Sequence, residues 1–494
     1  MSRKFSTLLI LLVTILLLGC PAPEEKTDDG TPTVDEATGG NLAASASSCN
    51  IQTGQLPTVP ASFDTQEQVD IFSWETLGAI AGQWTDWYTT VDMICAEKDQ
   101  RFVPSACQGQ TGSNRVLQQV GKVNDSFLEA TVGGLSGNPV IDQNGNFLRY
   151  EIFPYYPNTY NWLVDTGLNK AVNAQVQFPC PDDPNSPSMT VKLAWMDAGE
   201  CGGSGPSDIY TEDLLIFDPP DTTASGDASC NCRKMALVGI HIAQKTVNQG
   251  GWIWSTFEHK NNAPDCQPAS ANMPAPTAPD AGTGKNSPGP NTACPTSASG
   301  SYHLYGDCPA CTSSCNTPPT KTSADTCGDN KDDWCIDVAR DTSGTAGTVS
   351  KLCRQVGFAE YYDGATSWDD TPGNKACQSQ APGVWSNYQL ISSQWLSPDT
   401  TSCDNISASF GADNGISGTV NGVTTNVVPT VTIPKNDTGG TTQRPFLANT
   451  TMESYERANC LSCHAKAETS EGSYSTDFVY FLALEVPEAP YCSY

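Results

Sequence analysis

Cysteine restricts the fold of this chain more than any other residue type, because 21 of its 494 residues are Cys. Thiols in an oxidising compartment pair into disulfides, whereas cytosolic thiols usually stay reduced. Cys20, Cys460 and Cys463 belong to the motifs described below, which leaves 21 − 3 = 18 cysteines, enough for up to nine disulfides. The pairing cannot be deduced from sequence. Cys230 and Cys232 are too close to bridge each other without strain, so each is expected to pair with another segment.

The first twenty residues predict that the chain is exported. Arg3 and Lys4 precede an uncharged apolar run over residues 8–18, which is too short to span a bilayer. The run ends in LLGC, which resembles a bacterial lipoprotein signal, in which lipidated Cys20 becomes the first residue. An ordinary secretory signal cut nearby is the alternative. We therefore expect a signal peptide over residues 1–19 and a flexible polar tether over residues 20–47.

A lipid on Cys20 is expected to hold the protein at a membrane, because each buried methylene contributes about 0.8 kcal/mol to anchoring. Pro21 does not resemble a signal for retention in the inner membrane. The expected location is therefore the cell envelope, with the lipid in the outer membrane and the protein facing the periplasm or the cell surface.

The charge of the chain excludes nucleic acid as a partner. Its 54 Asp and Glu residues outnumber its 25 Lys and Arg residues, for a formal net charge of −29. Removing residues 1–19 takes away Arg3 and Lys4, so the mature charge is 23 − 54 = −31. A phosphate backbone requires a basic surface, which this chain lacks. A basic protein partner would instead be attracted to it.

Hydrophobic periodicity predicts an α+β fold. Residues 69–80 have helical spacing, with Asp64 as the expected N-cap. Residues 190–195, 236–242 and 251–257 alternate like strands and are expected to pair into a mostly antiparallel sheet.

The sequence CLSCH at residues 460–464 matches the attachment motif of a c-type haem. Two thiols three residues apart, Cys460 and Cys463, can form thioethers with the two vinyl groups of one porphyrin. The next residue, His464, then lies under the iron and supplies the proximal imidazole. A CxxC disulfide with a chance histidine and a zinc half-site are the alternatives, although no second half at zinc spacing is present. The motif predicts one covalent haem c.

A second iron ligand is expected from upstream, because the 494 − 464 = 30 residues after His464 contain neither Met nor His. His259 ends an aromatic strand near the expected edge of a pocket. His241 lies in the middle of a strand, where a buried core histidine is also common. An open or water-bound position is a third alternative. The remaining candidates are His303, Met452, Met235 and Met93.

The chain is expected to divide into three regions after the tether. Residues 48–270 would form the α+β body. Residues 271–440 are rich in Pro, Gly and Ser and then in Cys, which predicts a linker followed by long disulfide-pinned loops. Residues 441–494 would form a short helical haem attachment segment that packs on the N-terminal body.

Four groups of residues occur together in this chain: FSWETL at 72–77, IDQNGN at 141–146 with RYE at 149–151, LVGIHI at 237–242 with WIWSTFEH at 252–259, and LANTTMESY at 447–455 with the CLSCH motif and Asp477-Phe478. Together they resemble a class of exported bacterial single-haem cytochrome c family proteins. The similarity covers most of residues 60–270 and 440–485. It implies one c-type haem per chain, held by Cys460, Cys463 and His464, and it implies that the two ends of the chain form one architecture.

Three functions are compatible with these features. The favoured one is electron transfer by a membrane-anchored single-haem cytochrome. Its expected partner is a redox protein with a basic surface. A peroxidase-like haem enzyme or gas-binding sensor would need an open iron position. A structural or interaction lipoprotein would use haem only to stabilise its fold. No recognisable nucleophile–base pair marks the chain as an enzyme.

Overall fold

A central sheet organises the part of the chain that can be described. The computed structural model describes residues 48–61, 63, 65–113, 115–118, 142, 146, 148–180, 187–218, 227–247, 249–265, 302–304, 354, 372–395, 410–411, 417–420, 423–426, 428–429, 449–452, 464, 467, 476–477, 479, 481–482 and 492. Cys20 and the signal and tether segments predicted over residues 1–47 lie outside these residues, as do Cys460 and Cys463.

Seven strands of the described residues form this one mixed sheet. β1 and β4 pair in parallel, and the other pairs in the sheet are antiparallel. The predicted α+β class with a mostly antiparallel sheet is therefore confirmed. The strands are β1 (Val116–Leu117), β2 (Arg149–Pro154), β3 (Ser188–Glu200), β4 (Thr211–Asp218), β5 (Ser229–Thr246), β6 (Gln249–His259) and β7 (Tyr388–Gln394).

Strand β5 is the central strand of the sheet: it is 18 residues long and pairs with three other strands. Along one edge it pairs with β3, which in turn pairs with β2. Along the other edge its first half pairs with β4 and its second half pairs with β6, which continues to β7. The three strands predicted from alternation are β3, β5 and β6.

The described α-helices are short apart from the first. They are α1 (Gln66–Ile80), α2 (Thr90–Cys95), α3 (Asn158–Asp165) and α4 (Pro372–Cys377). Four further strands form two separate pairs: β8 (Phe410–Gly411) with β11 (Val428–Pro429), and β9 (Ser417–Val420) with β10 (Val423–Asn426). Among the described helices, none has the length and apolar composition needed to cross a membrane.

The N-cap of helix α1 lies one residue after the predicted N-cap, Asp64. The N-cap is Thr65 rather than Asp64, because the Thr65 hydroxyl accepts from the Gln68 N–H while the Gln68 side chain accepts from the Thr65 N–H. This reciprocal capping box satisfies two N–H groups that the helix would otherwise leave unpaired. Asp64 itself lies outside the described residues.

Residues 372–395 belong to the folded body, although their position in the sequence predicts that they lie in the linker and Cys-rich region. β7 extends the sheet beyond β6. α4 packs beside α1, where the Asn374 side-chain oxygen accepts from the indole of Trp74 at 3.0 Å. The expected boundary at residue 270 therefore does not mark the end of the body.

Disulfides join distant parts of the chain. Cys49–Cys377 links the segment before α1 to α4, and Cys95–Cys492 links the end of α2 to the C-terminal region. Cys107–Cys230 and Cys201–Cys232 confirm that the two neighbouring cysteines on β5 pair outward. By chain entropy, a crosslink across such long loops stabilises the folded state by roughly 4 kcal/mol.

Candidate functional site

The two faces of the central sheet are covered by different parts of the chain. On β6, Ser255 and Phe257 point toward α1: the Ser255 and Ser73 hydroxyls are 2.6 Å apart, and the Phe257 and Trp74 rings meet edge to face at 5.0 Å. We call this side the helix face. Successive strand residues point to opposite sides, so the alternating residues Trp252, Trp254, Thr256 and Glu258 form the opposite side, which we call the C-terminal face.

Residues from the C-terminal region lie on the C-terminal face at several points. Glu258 accepts from the Thr450 N–H at 3.2 Å and from the Thr450 hydroxyl. The Thr451 carbonyl accepts from the Tyr150 hydroxyl at 2.7 Å. Thr451 also approaches Gly239 so closely that a Cβ there would lie 2.1 Å from the Thr451 hydroxyl oxygen. A side chain at residue 239 would therefore displace Thr451 from the sheet.

A buried ion pair fixes the C-terminal region further along the same face. Lys245 Nζ pairs with the Asp477 carboxylate, and both side chains are buried. Asp477 also accepts from the Phe178 N–H at 2.7 Å, and its carbonyl accepts from the Trp252 indole at 2.9 Å. Burial is the largest influence on Lys245 and lowers its pKa, while Asp477 opposes that shift. Removing one partner would leave a buried charge uncompensated.

Apolar side chains complete this attachment. Val479, Phe481 and Leu482 are buried in one cluster with Ile152, Trp252 and other residues of the C-terminal face. Cys492 is bound covalently to Cys95. The described C-terminal residues therefore pack on the N-terminal body, while the predicted helical haem attachment segment lies largely outside the described residues and stays a prediction.

His464 lies against the C-terminal face. Its half-buried ring contacts Trp254, with ring centroids 4.7 Å apart and planes inclined by 46°. Trp254 also neighbours Trp252, at 5.7 Å between centroids. The histidine of the CLSCH motif therefore meets an aromatic surface of the sheet.

A row of polar side chains crosses the C-terminal face beside Trp254. The strand register pairs Lys192 with His241, His241 with Thr256, and Thr256 with Ser392. We call these four residues the polar row. His241 is 7 % exposed and Thr256 is fully buried. Within the described part of the chain, the Thr256 hydroxyl has no hydrogen-bond partner, which is unusual for a buried polar atom.

The two predicted candidates for the second iron ligand lie on opposite faces. His241 alternates with Gly239, Ala243 and Lys245, so it shares the C-terminal face with His464. His259 alternates with Phe257 and lies on the helix face. The structure therefore brings His241, and not His259, to the side of the sheet where His464 lies.

Both ring nitrogens of His259 are already engaged. Nε2 lies 3.0 Å from the Asp208 carbonyl oxygen, to which it must donate, so Nδ1 is the acceptor for the Asn261 N–H at 3.3 Å. Burial lowers the pKa of His259 to about 4, with the nearby His303 adding to the effect. This is the environment of a neutral structural histidine.

Of the remaining ligand candidates, the methionines are also buried, and one of them, Met93, shares an apolar cluster with Trp254. The His303 ring packs on His259 at 5.2 Å, away from His464. Met452 and Met235 belong to the main apolar core, and Met93 lies on α2 in the cluster that contains Trp252.

A titratable group that sequence reasoning missed also lies on the C-terminal face. Glu258 is fully buried, and burial raises its pKa to about 7, opposed by Arg354 and by hydrogen bonds from Asn262 and Thr450. Lys245 and Asp477 were missed in the same way. The alternation of β5 places Lys245 on the face of His241, but its partner is 232 residues away in sequence.

The residues of the C-terminal face fit a haem by chemistry. The imidazoles of His241 and His464 can bind iron, the indoles of Trp252 and Trp254 can pack against porphyrin, and the buried Thr256 hydroxyl can hydrogen-bond to a polar group. Within the described residues, no three His, Cys, Asp or Glu side chains cluster as a metal site. A haem iron does not require such a cluster, because porphyrin supplies four of its ligands.

Comparison with known proteins gives no identification. No protein-family model, curated protein or solved structure matches the chain. The resemblance to single-haem cytochromes therefore stays a prediction, and function must be inferred from the side chains described above.

Proposed function

We propose that this protein is an exported, membrane-anchored single-haem c-type cytochrome that transfers electrons. The observation that carries the proposal is the CLSCH sequence at residues 460–464. Cys460 and Cys463 would hold the porphyrin by thioethers, and His464 would be the proximal iron ligand. When bound, the haem supplies a one-electron couple.

The contacts of the C-terminal region support this proposal. Trp254 packs against the His464 ring, and the Lys245–Asp477 pair holds residue 477 on the same face of the sheet. Val479, Phe481 and Leu482 are buried in the same cluster as Trp254, so they exclude water from this part of the C-terminal face. A rigid, partly dry environment limits the reorganisation that accompanies a change of iron charge, and it sets the potential.

Disulfides support the proposed compartment. All nine described cysteines are disulfide-bonded: Cys49, Cys95, Cys107, Cys180, Cys201, Cys230, Cys232, Cys377 and Cys492. Such extensive pairing is typical of exported proteins. It agrees with the proposed signal peptide, the lipid on Cys20 and a position at the outer membrane.

The proposed partner is a redox protein with a basic surface. A mature charge of 23 − 54 = −31 would accelerate its encounter and disfavour acidic partners. The association rate should fall as ionic strength rises, because salt screens exposed charges over about 10 Å at 0.1 M.

A gas-binding or peroxidase-like haem protein is the second candidate. The observation that favours it is the buried Thr256 hydroxyl, which could donate to a molecule bound at an open iron. Rapid binding of carbon monoxide to the ferrous protein, or peroxide turnover, would distinguish this candidate from electron transfer.

The test is export-competent expression with cytochrome c maturation, followed by a pyridine haemochrome spectrum. We expect the spectrum of a haem with two thioethers. It should be lost in the double variant Cys460→Ser/Cys463→Ser. The matched control is Cys201→Ser/Cys232→Ser, which also replaces two cysteines but should retain the haem. A colourless wild-type protein would refute the proposal.

A further inference from the structure

We propose that His241 supplies the second protein ligand to the haem iron, opposite His464. This inference rests on the proposed function, and it assigns a role to a strand residue far from the haem attachment motif. The iron would then be closed to external ligands and specialised for electron transfer. The bond requires only a neutral imidazole nitrogen and consumes no oxidant or reductant.

The register of the sheet places His241 between two points that the C-terminal region covers. On one side is Gly239, which contacts Thr451. On the other side is Ala243, whose cross-strand partner Trp254 contacts His464. Each lies two residues from His241, a distance of about 7 Å along a strand. His241 therefore lies between two described points, Thr451 and His464, at which C-terminal residues touch this face of the sheet.

The position of His241 relative to Trp254 agrees with a role as iron ligand, because both side chains lie on the face that His464 contacts. Residues on adjacent strands that are offset by two positions have Cα atoms about 7–8 Å apart, within reach of long side chains. His241 and Trp254 have this diagonal relation on one face of the sheet. The imidazole of His241 therefore projects from the surface on which His464 rests.

The polar row places a second buried polar group directly beside His241. Thr256 is the direct cross-strand partner of His241, and it is completely buried. Its hydroxyl oxygen finds no partner among the described residues. A buried hydroxyl without a hydrogen bond destabilises the fold by about 1–3 kcal/mol. A haem or a polar group attached to it between the sheet and the C-terminal region would provide the missing partner.

The alternatives are less well placed. His259 is on the helix face and uses both ring nitrogens in hydrogen bonds. Met452 is fully buried in the main apolar core. Of the candidates predicted from sequence, His241 alone combines an imidazole, the face occupied by His464 and a position between two attachment points.

Spectroscopy of the matured holoprotein tests the assignment. We expect wild-type protein to be low-spin, with the electron paramagnetic resonance of two imidazoles, and not to bind carbon monoxide. His241→Ala should become high-spin and bind carbon monoxide, and added imidazole should restore the low-spin spectrum. The matched control His259→Gln, which can keep both hydrogen bonds, should retain the wild-type spectrum.

A second variant keeps the test decisive if His241→Ala does not fold. His241→Met should remain low-spin but have a higher reduction potential, because thioether ligation raises the potential. A high-spin wild-type protein, or an unchanged spectrum in both His241 variants, would overturn the assignment. The pyridine haemochrome measured on the same samples separates this outcome from failure of the proposed function, since it detects covalent haem whatever the second ligand is.

Discussion

The helix face and the C-terminal face of the central sheet are buried by different physical means. On the helix face, α1 supplies aromatic contacts and short hydroxyl hydrogen bonds from residues that are close together in one helix. On the C-terminal face, residues from the far end of the chain contact the Glu258 carboxyl group, the Lys245 ammonium group and the Trp254 ring. The first arrangement explains a stable fold by itself. The helix-face side also buries charge, because Glu151 pairs there with Arg115. What distinguishes the C-terminal face is that residues distant in sequence provide its contacts.

The largest expected effect tests whether the helix face is purely structural. Trp74→Ala removes a fully buried ring that packs on Phe257 and donates to Asn374. We expect the free energy of unfolding to fall by about 3–5 kcal/mol. The haem spectrum of the surviving folded protein should be unchanged. Denaturant titration with absorption spectroscopy measures both, and an altered haem spectrum would contradict the division between the faces.

A similar loss of stability is expected on the C-terminal face, but from electrostatics. Asp477→Asn leaves Lys245 buried without its ion-pair partner, which should destabilise the protein by about 3–5 kcal/mol. Adding Lys245→Met should recover most of that loss, because an apolar side chain replaces the buried charge. Chemical denaturation of the single and double variants checks this. If the single variant Asp477→Asn and the double variant were equally stable, the unpaired Lys245 charge would not be the cause of the loss.

The next effect is on the pH dependence of stability, to which the adjacent residues Glu258 and His259, on opposite faces, should contribute with opposite sign. Burial raises the pKa of Glu258 to about 7, so the folded state retains a proton that the unfolded state releases above its ordinary value of 4.5. Stability should therefore fall as pH rises from about 4.5 to about 7, by roughly 3 kcal/mol. Glu258→Gln should abolish this fall, as measured by unfolding free energy against pH.

His259 should produce the opposite slope. Its pKa is lowered to about 4, so the unfolded state binds a proton that the folded state refuses between about 4 and 6.5. Stability due to this residue should rise with pH across that window. His259→Gln is expected to remove the rise while Glu258→Gln removes the fall. If both variants shifted the pH profile in the same direction, the opposite environments assigned to the two residues would be wrong.

The smallest expected effect concerns the start of α1. Thr65→Ala removes the capping hydroxyl that accepts from Gln68. We expect a loss of about 1 kcal/mol, without any change in haem spectroscopy. Thr65→Ser should retain nearly all of the stability, because serine supplies the same acceptor. A calorimetric comparison of the three proteins measures the difference.

Local patterns in the sequence predicted the elements whose contacts are local or periodic. Alternation identified β3, β5 and β6, and helical spacing identified α1. Strand β7 was missed because residues 388–394 follow a long stretch rich in Cys and turn residues. The N-cap was placed at Asp64 because both Asp64 and Thr65 are good capping residues, and only the hydrogen bonds to Gln68 distinguish them.

The candidate site was predictable only in part. The spacing of Cys460, Cys463 and His464 indicates haem chemistry without any fold information. The choice between His241 and His259 depends on which face of the sheet each side chain occupies. That follows only from the register between β5 and β6 and from the face that His464 contacts, neither of which the sequence shows. The pairing of Lys245 with Asp477 spans 232 residues and has no local pattern.

The central claim is that a haem is covalently attached near residue 460, and mass spectrometry of the matured, purified protein tests it most directly. We predict an intact mass that includes one haem, retained after acid extraction, and a proteolytic peptide carrying haem on Cys460 and Cys463. A peptide of unmodified mass, with those two cysteines free or joined to each other, would contradict the account.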